Sequence, residues 1–472
     1  MKRLTIALIA VALGACSTVP SVKMTPGMWL TTADESQKLA ALPAPVAEGS
    51  ARGDETVTID TTKHFQKIQG FGAAITDASA QLLSGMADDK RAALMSELFG
   101  RGPDQLGLSF TRLTVGASDF SPDHYSYDDT PGSAPDPELK HFTIDYARRF
   151  VLPRTREALA INPDLMVMIS PWSAPAWMKT SNSLIKGQLR PVYYPAFANY
   201  LARTVEDFGR EGVPVSMLTI QNEPDFEPAD YPGMRVNSPD RAIIIGRHVG
   251  PTFKARGLKT QILDYDHNWD NAEMPWAVLS DPEARKYVSG VAWHCYEGDV
   301  PAQSLVRDAF PDKDVWFTEC SGGEWAPKFG ETLGWLTSKL IVGATNNWAR
   351  GSLFWNLALD PQHGPHKGGC GDCRGVVTID PATGNVTRNV EYYALGHASR
   401  FVRPGAFRTS TTATGGVEAA SFVNRDGSRV AILYRKDGQG AVSIGLDGQR
   451  YDVSLPKGSV ATLLWGSRQG RR

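Results

Sequence analysis

Two glutamates stand where apolar runs stop. Glu223 follows "VSMLTIQN" and opens "EPDF", and Glu319 closes "DVWFTE" ahead of "CSGG". A carboxylate at the open end of a buried strand is costly unless it works or is paired. Two of them facing each other across a cleft are what glycoside cleavage needs. One, protonated, donates to the leaving oxygen; the other, ionised, attacks the anomeric carbon. Repulsion and unequal surroundings separate their pKa values. Asn222 sets an amide beside Glu223 that can bind a sugar hydroxyl, and Pro224 stiffens the turn that follows. The bland alternative is a pair of structural carboxylates.

Such a pair must be held on one rim. Eight short apolar runs end in polar or glycine-rich segments: "KIQGFG", "LGLSFTRLTVG", "LMVMISPWS", "VSMLTIQNE", "TQILDYDHN", "VSGVAWHCY", "DVWFTECSG" and "GSLFWNLAL". Amphipathic stretches such as "PAFANYLARTVEDFGREG" lie between them. Strand alternating with helix implies a parallel sheet. Eight such units over roughly 300 residues imply an α/β fold, a (β/α)8 TIM barrel. A doubly wound open sheet is the alternative, weakened because no G-x-G-x-x-G follows the first strand. In the barrel, Glu223 ends strand four and Glu319 ends strand seven, at the C-terminal rim where barrel enzymes keep their chemistry. The same rim carries Asp119, Trp172, Asp264, Asp266, His294, Tyr296, Trp355 and Asn356. So many rings and carboxylates on one rim argue against a purely structural pair. Tyr296, ending strand six, is placed to hydrogen-bond Glu319 and keep it ionised.

The remaining chain surrounds this barrel. With 472 residues, 42% of them hydrophobic, it can bury one large domain and a smaller one. A net charge of −2 gives no basic excess for nucleic acid. The start, "MKRLTIALIAVALGACS", has two cations, an apolar stretch and then Cys16. It reads as a signal peptide ending in a lipobox, with an ordinary signal as the alternative. Acylation of Cys16 would anchor an exported protein in the cell envelope, at the outer membrane or facing the periplasm, without spanning a bilayer. The expected organisation is signal and lipobox over 1–16 and a tether over 17–52, with one strand near "MWLTTADES". A strand over 53–66 joins a β-sandwich, the barrel runs over 67–390, and the β-sandwich proper runs over 391–472. That last stretch alternates apolar and polar residues between turns such as "RDG", "KDG" and "LDG". Export permits disulfides. Cys370 and Cys373, in "GGCGDC", can close a small loop; His363 and His366 just upstream leave a zinc site as the alternative reading, though the spacing is unlike common zinc modules.

The motifs "SPWSAPAWMKT", "TIQNEPDF", "WFTECSGG", "FWNLALDP" and "YYALGHASRFVRPGA" together resemble glycoside hydrolase family 30, from about residue 55 to the C-terminus. The family includes glucosylceramidases and endo-β-1,6-glucanases. The resemblance implies a barrel with a side β-sandwich and a retaining mechanism, with Glu223 as acid/base and Glu319 as nucleophile. It puts sugar-binding roles on Asp119, Trp172, Asn222 and Trp355, and places Arg112 and His294 in the same pocket. Tyr296 joins the substrate-binding set. Glucosylceramidase-like members carry an Asn-bearing loop after strand eight, where this chain has "HGPHKGGCGDCRGVV". That departure favours an endo-β-1,6-glucanase over a glucosylceramidase; an inactive glycan-binding surface lipoprotein is the third reading. No metal or organic cofactor is needed. The expected partners are a β-glucan, oligosaccharide or glycolipid and a membrane reached by lipid alone, with the chain a monomer. Cys295 and Cys320 follow neighbouring strands, and a disulfide between them would brace Glu319; two buried thiols are the alternative.

Overall fold

The computed structural model describes residues 25–50, 56–438 and 440–466. Cys16 lies outside them. Eight parallel strands close into a barrel in sequence order. They are β1 (Gly70–Ala74), β2 (Phe110–Val115), β3 (Met166–Pro171), β4 (Met217–Thr219), β5 (Gln261–Asn268), β6 (Val288–His294), β7 (Asp314–Glu319) and β8 (Ala349–Asn356). Six of them fall within one of the eight apolar runs and β1 and β8 overlap theirs, and β8 pairs with β1 to complete the ring. Closure is tight at β1, where a Cβ on Gly72 would lie 1.7 Å from the Phe110 carbonyl oxygen, so only glycine fits.

Side chains alternate along the strands. Outward residues such as Leu113, Ile169, Leu218, Trp293, Phe317 and Phe354 pack into the large core beneath the helices. Inward residues Phe110, Met168, Met217, Leu263, Ala292, Trp316 and Leu353 make an apolar floor inside the barrel. The rim chemistry stands on this floor.

Ten strands hydrogen-bond into one curled sheet, whose two halves enclose a core that includes Leu30, Val57, Ile59, Leu433, Val442, Ile444 and Leu463. Val57–Lys67 pairs there with Phe407–Ala413 and with Ala441–Leu446. Two boundaries differ from the expectation. The tether over 17–52 is too long: Gly27–Thr31, Ala40–Leu42 and Ala47–Ser50 are strands of this sheet, and the first pairs with Val460–Trp465. Its partner lies at the far end of the chain, so local sequence gives no sign of the pairing. The 390/391 boundary also falls early. Val390–Ser399 is a helix, not sandwich, and its Leu395 and Ala398 pack into the barrel-side core.

Cys295 is bonded to Cys320 and Cys370 to Cys373, with Cα–Cα distances of 5.5 and 5.7 Å. The zinc alternative is thereby excluded, since both cysteines of the set are spent. His363 and His366 instead bond the carbonyls of Cys373 and Gly368. Replacing Cys295 and Cys320 together by Ser should lower unfolding stability by about 3 kcal/mol, for a loop of this size. Thermal unfolding of variant and parent checks this; an unchanged midpoint would show that the bond constrains little.

Candidate active site

The second inward layer lies two residues beyond the floor on almost every strand. Phe110 leads to Arg112, Met168 to Ser170, Met217 to Thr219, Ala292 to His294, Trp316 to Thr318 and Leu353 to Trp355. The apolar floor thus gives way to a polar ring, and period-two alternation alone accounts for it.

Two strands break the period, and both breaks are useful. On β5, Ala292 pairs with Tyr265 and Trp293 with His267, so Asp266 is an extra residue in the ladder. Tyr265 and Asp266 take φ of +78° and +60°. Such a bulge re-aims a side chain. It brings Asp266 inward three residues after Leu263, while Asp264 points out to Arg241 at 2.9 Å. On β7 the register skips Thr318, so that Thr318 and Glu319 both reach the interior.

Asp266 is the hub of the site; the sequence places it on the rim but assigns it no role. One oxygen accepts from Arg112 (2.7 Å), Ser170 (2.8 Å) and Thr219 (2.6 Å). The other accepts from Thr318 (2.7 Å) and meets His294 Nε2 (3.0 Å). Burial pushes this carboxyl up, but Arg112, His294 and Thr219 more than offset it and hold it far below the ordinary aspartate range. Asp266 is therefore a fixed anion.

Arg112, fully buried, reads three acceptors with one planar fork. Nη1 donates to Glu319 Oε2 at 2.5 Å, and Nη2 donates to Asn222 Oδ1 and Asp266 Oδ2, each at 2.7 Å. Its guanidinium stacks 4.7 Å from the Trp172 ring, and Trp172 stacks on Trp355 with centroids 4.9 Å apart. Glu319 accepts a further bond from the Tyr296 hydroxyl at 2.9 Å. Glu223 stands opposite on a tight turn, at φ +45°, an uncommon conformation for a residue with a side chain. Its N–H donates to the Asp266 carbonyl, and its carbonyl accepts from Phe226 N–H. Its carboxylate meets His294 Nδ1 at 3.1 Å. One carboxylate oxygen of Glu223, one of Glu319 and a nitrogen of His294 lie within 4.8 Å of one another.

Asp119 completes the pocket. Its Oδ1 is buried and finds no hydrogen-bond partner among the described residues. Burial, then the charges of Glu319 and Glu223, push it up to about 8. At neutral pH it is a neutral carboxyl, able to donate and to accept. The loop after β8 closes over it: Lys367 N–H donates to the Asp119 carbonyl, and a Cβ on Gly369 would lie 2.5 Å from the Asp119 Cβ. That loop is tied down by the Cys370–Cys373 bond, by pairing of Cys373–Arg374 with Gly322–Gly323, and by Arg374 against buried Glu391 at 3.2 Å.

Protons divide unequally here. His294 is pushed down by burial, but Glu319, Asp266 and Glu223 outweigh that and raise it to about 9. Two cations, Arg112 and His294, thus face three carboxyls, Asp266, Glu319 and Glu223. Charge alone favours a proton on Glu319: burial pushes it up, while in Glu223 His294, His267 and Arg112 outweigh burial and hold it down. The hydrogen bonds point the other way. Arg112 donates to Glu319 Oε2 and its positive charge favours the ionised form of that carboxyl. Tyr296 donates to the other oxygen, whereas Glu223 has one side-chain donor among the described residues, on Oε1. Protonation weakens two charge-assisted bonds at Glu319 and one at Glu223.

The pocket thus brings together Glu223, Glu319, Asp119, Trp172, Asn222, His294, Tyr296, Trp355 and Arg112. Residues 68–402 match the model of the Glycosyl hydrolase family 30 TIM-barrel domain, and residues 405–463 match that of the family 30 beta sandwich domain. The chain is 35% identical to endo-1,6-beta-D-glucanase BGN16.3 of Trichoderma harzianum, over 90% of each chain. It is 30% identical to putative glucosylceramidase 2 of Caenorhabditis elegans, over 86% of this chain and 82% of that one. The solved structure of the endo-beta1,6-glucanase BT3312 superimposes with a TM-score of 0.85 at 30% identity, covering 93% of this chain and 99% of that one.

Proposed function

This chain belongs to glycosyl hydrolase family 30 and is an O-glycosyl hydrolase, and on that premise we propose that it is a retaining endo-β-1,6-glucanase. The observation that carries the mechanism is the Glu223–Glu319 pair: oxygens within 4.8 Å, one carboxylate held by Arg112 and Tyr296, the other free to keep a proton. Retaining enzymes hold their carboxyls about 5 Å apart; inverting ones leave room for a water.

The steps follow from the geometry. A β-linked glucosyl unit enters over the Trp172–Trp355 pair. Asp119 and Asn222 take its hydroxyls. Glu319 attacks C1 while Glu223 gives its proton to the leaving oxygen, leaving a glucosyl ester on Glu319. Glu223, now a carboxylate, takes a proton from water as the water oxygen bonds to C1 and frees Glu319. Arg112 and Tyr296 keep Glu319 ionised between turnovers.

The substrate reading rests on the glucanase relatives and on the disulfide-closed loop over Asp119. The test supplies a linear β-1,6-glucan and, separately, a glucosylceramide, and follows the released sugars by chromatography. A ladder of β-1,6-oligosaccharides from the glucan is expected, with little glucose from the lipid. Glucose from the lipid alone would make the chain a glucosylceramidase. We further propose that Cys16 is acylated and that the enzyme works at an envelope surface; "LGAC" after an apolar stretch supports this. Cys16→Ala should then move the protein from the membrane fraction to the soluble one.

A further inference from the structure

His294 stands between two carboxylates with its ring fully buried. Asp266 Oδ1 lies 3.0 Å from Nε2, and Glu223 Oε1 lies 3.1 Å from Nδ1. Glu319 Oε1 is farther from Nδ1, at 3.9 Å. The ring is met by Tyr296 at 6.2 Å and His267 at 6.3 Å, both edge-on. The other charge nearby is Arg112, which is engaged with Asp266 and Glu319.

Asp266 can only accept. It requires an N–H at Nε2, which fixes both the orientation of the ring and the nitrogen turned to Glu223. Glu223 has no other side-chain donor within hydrogen-bond reach among the described residues. Its Oε1 is thus occupied and its Oε2 is not.

We propose that His294 is the positioning residue of the acid/base: Asp266 holds its Nε2–H, and its Nδ1–H holds Oε1 of Glu223, so that Oε2 alone carries the catalytic proton. This rests on the reading of Glu223 as acid/base. In the first half-reaction, Oε2–H passes its proton to the glycosidic oxygen as the C1–O bond breaks and the bond from Glu319 to C1 forms. The Nδ1–H bond strengthens as Glu223 becomes a carboxylate, which stabilises the charge developing in the transition state. In the second half-reaction, Oε2 accepts a proton from water as the water oxygen displaces Glu319 from C1. His294 keeps both its protons throughout.

A residue acting through the acid shows itself by leaving group. A 2,4-dinitrophenyl glycoside departs without protonation, whereas a sugar needs it. The test compares His294→Asn and His294→Gln on a short β-1,6-gluco-oligosaccharide and on its dinitrophenyl β-glycoside, with Glu223→Gln as control. Active sites are counted by trapping Glu319 with a 2-deoxy-2-fluoroglucoside. Per trapped site, kcat/KM should fall about 10- to 100-fold on the oligosaccharide, a part of the roughly 10^2- to 10^4-fold that acid catalysis supplies. On the dinitrophenyl glycoside it should fall less than about threefold, because no proton is needed there. The alkaline limb of the oligosaccharide profile should move to higher pH, because Glu223 loses a cationic neighbour and becomes a weaker acid. Equal losses on both substrates with an unmoved limb would overturn the proposal, and so would variants that cannot be trapped. If Glu223→Gln itself shows no difference between the substrates, the acid assignment fails and the inference with it. If Glu223→Gln shows the difference and the His294 variants do not, the inference alone fails.

Discussion

Glu319→Gln lowers kcat/KM on a β-1,6-glucan by roughly 10^4- to 10^6-fold, the scale on which removing a nucleophile from a cooperating set acts, and leaves the chain folded. The loss is so large because no neighbour can take over the attack. Asp266 is locked by four donors and His294, Glu223 is needed as the acid, and burial beside Glu319 and Glu223 raises Asp119 to about 8. The amide keeps the shape of the side chain and can still accept from Arg112 through its oxygen. Melting temperature and circular dichroism should therefore stay near those of the parent. Glu319→Ala with azide gives a sharper form of the same result. The small anion fills the space, attacks C1 once and leaves an α-glycosyl azide. A β-glycosyl azide, or substantial activity left in Glu319→Gln, would remove Glu319 from its role.

Arg112→Met carries the second-largest effect, and it appears in two measurements. Arg112 pairs with Asp266 and Glu319 in a fully buried fork. Removing it leaves two buried carboxylates to share His294, which costs about 3–5 kcal/mol of stability. The activity should fall by about 10^2- to 10^3-fold in kcat, the scale for one lost preorganised charge partner. The pH profile should change as well. Glu319 loses the charge that kept it ionised, so its carboxyl rises and the acid limb of kcat/KM moves to higher pH. Arg112→Lys should recover part of the stability but not the bridging of Asn222, Asp266 and Glu319, because one ammonium cannot reproduce the planar fork. A Met variant with parental stability and an unmoved acid limb would show that the fork is not what holds the site.

The sequence displays the barrel because each strand is a short apolar run that ends abruptly. It displays Glu223 and Glu319 because both stand at such ends, beside Asn222 and Cys320. Asp266 was visible as a polar residue but not as the hub. Strict alternation puts Asp264 and Asp266 on the same face, and only the bulge at Tyr265–Asp266 separates them, sending Asp264 out to Arg241 and Asp266 into the ring. A signal was there: two aspartates inside one strand cannot both be buried without cations, and Arg241 and Arg112 are the two that answer. The resemblance places His294 in the sugar pocket and gives it no further role. Its contacts with Asp266 and Glu223 depend on three strands meeting, which spacing along one chain does not reveal. The strand near "MWLTTADES" is legible, but its place in the sheet is hidden for the same reason, since Gly27–Thr31 finds its partner at Val460–Trp465.

Retention through an ester on Glu319 shows itself in the anomeric form of the first product. The enzyme is mixed with a linear β-1,6-glucan at high concentration, and proton NMR follows the new reducing ends before they mutarotate. Double displacement predicts that the β-anomer appears first and the α-anomer grows in only at the rate of mutarotation. The α-anomer appearing first would mean single displacement by water, and would contradict the close Glu223–Glu319 pair as the working machinery.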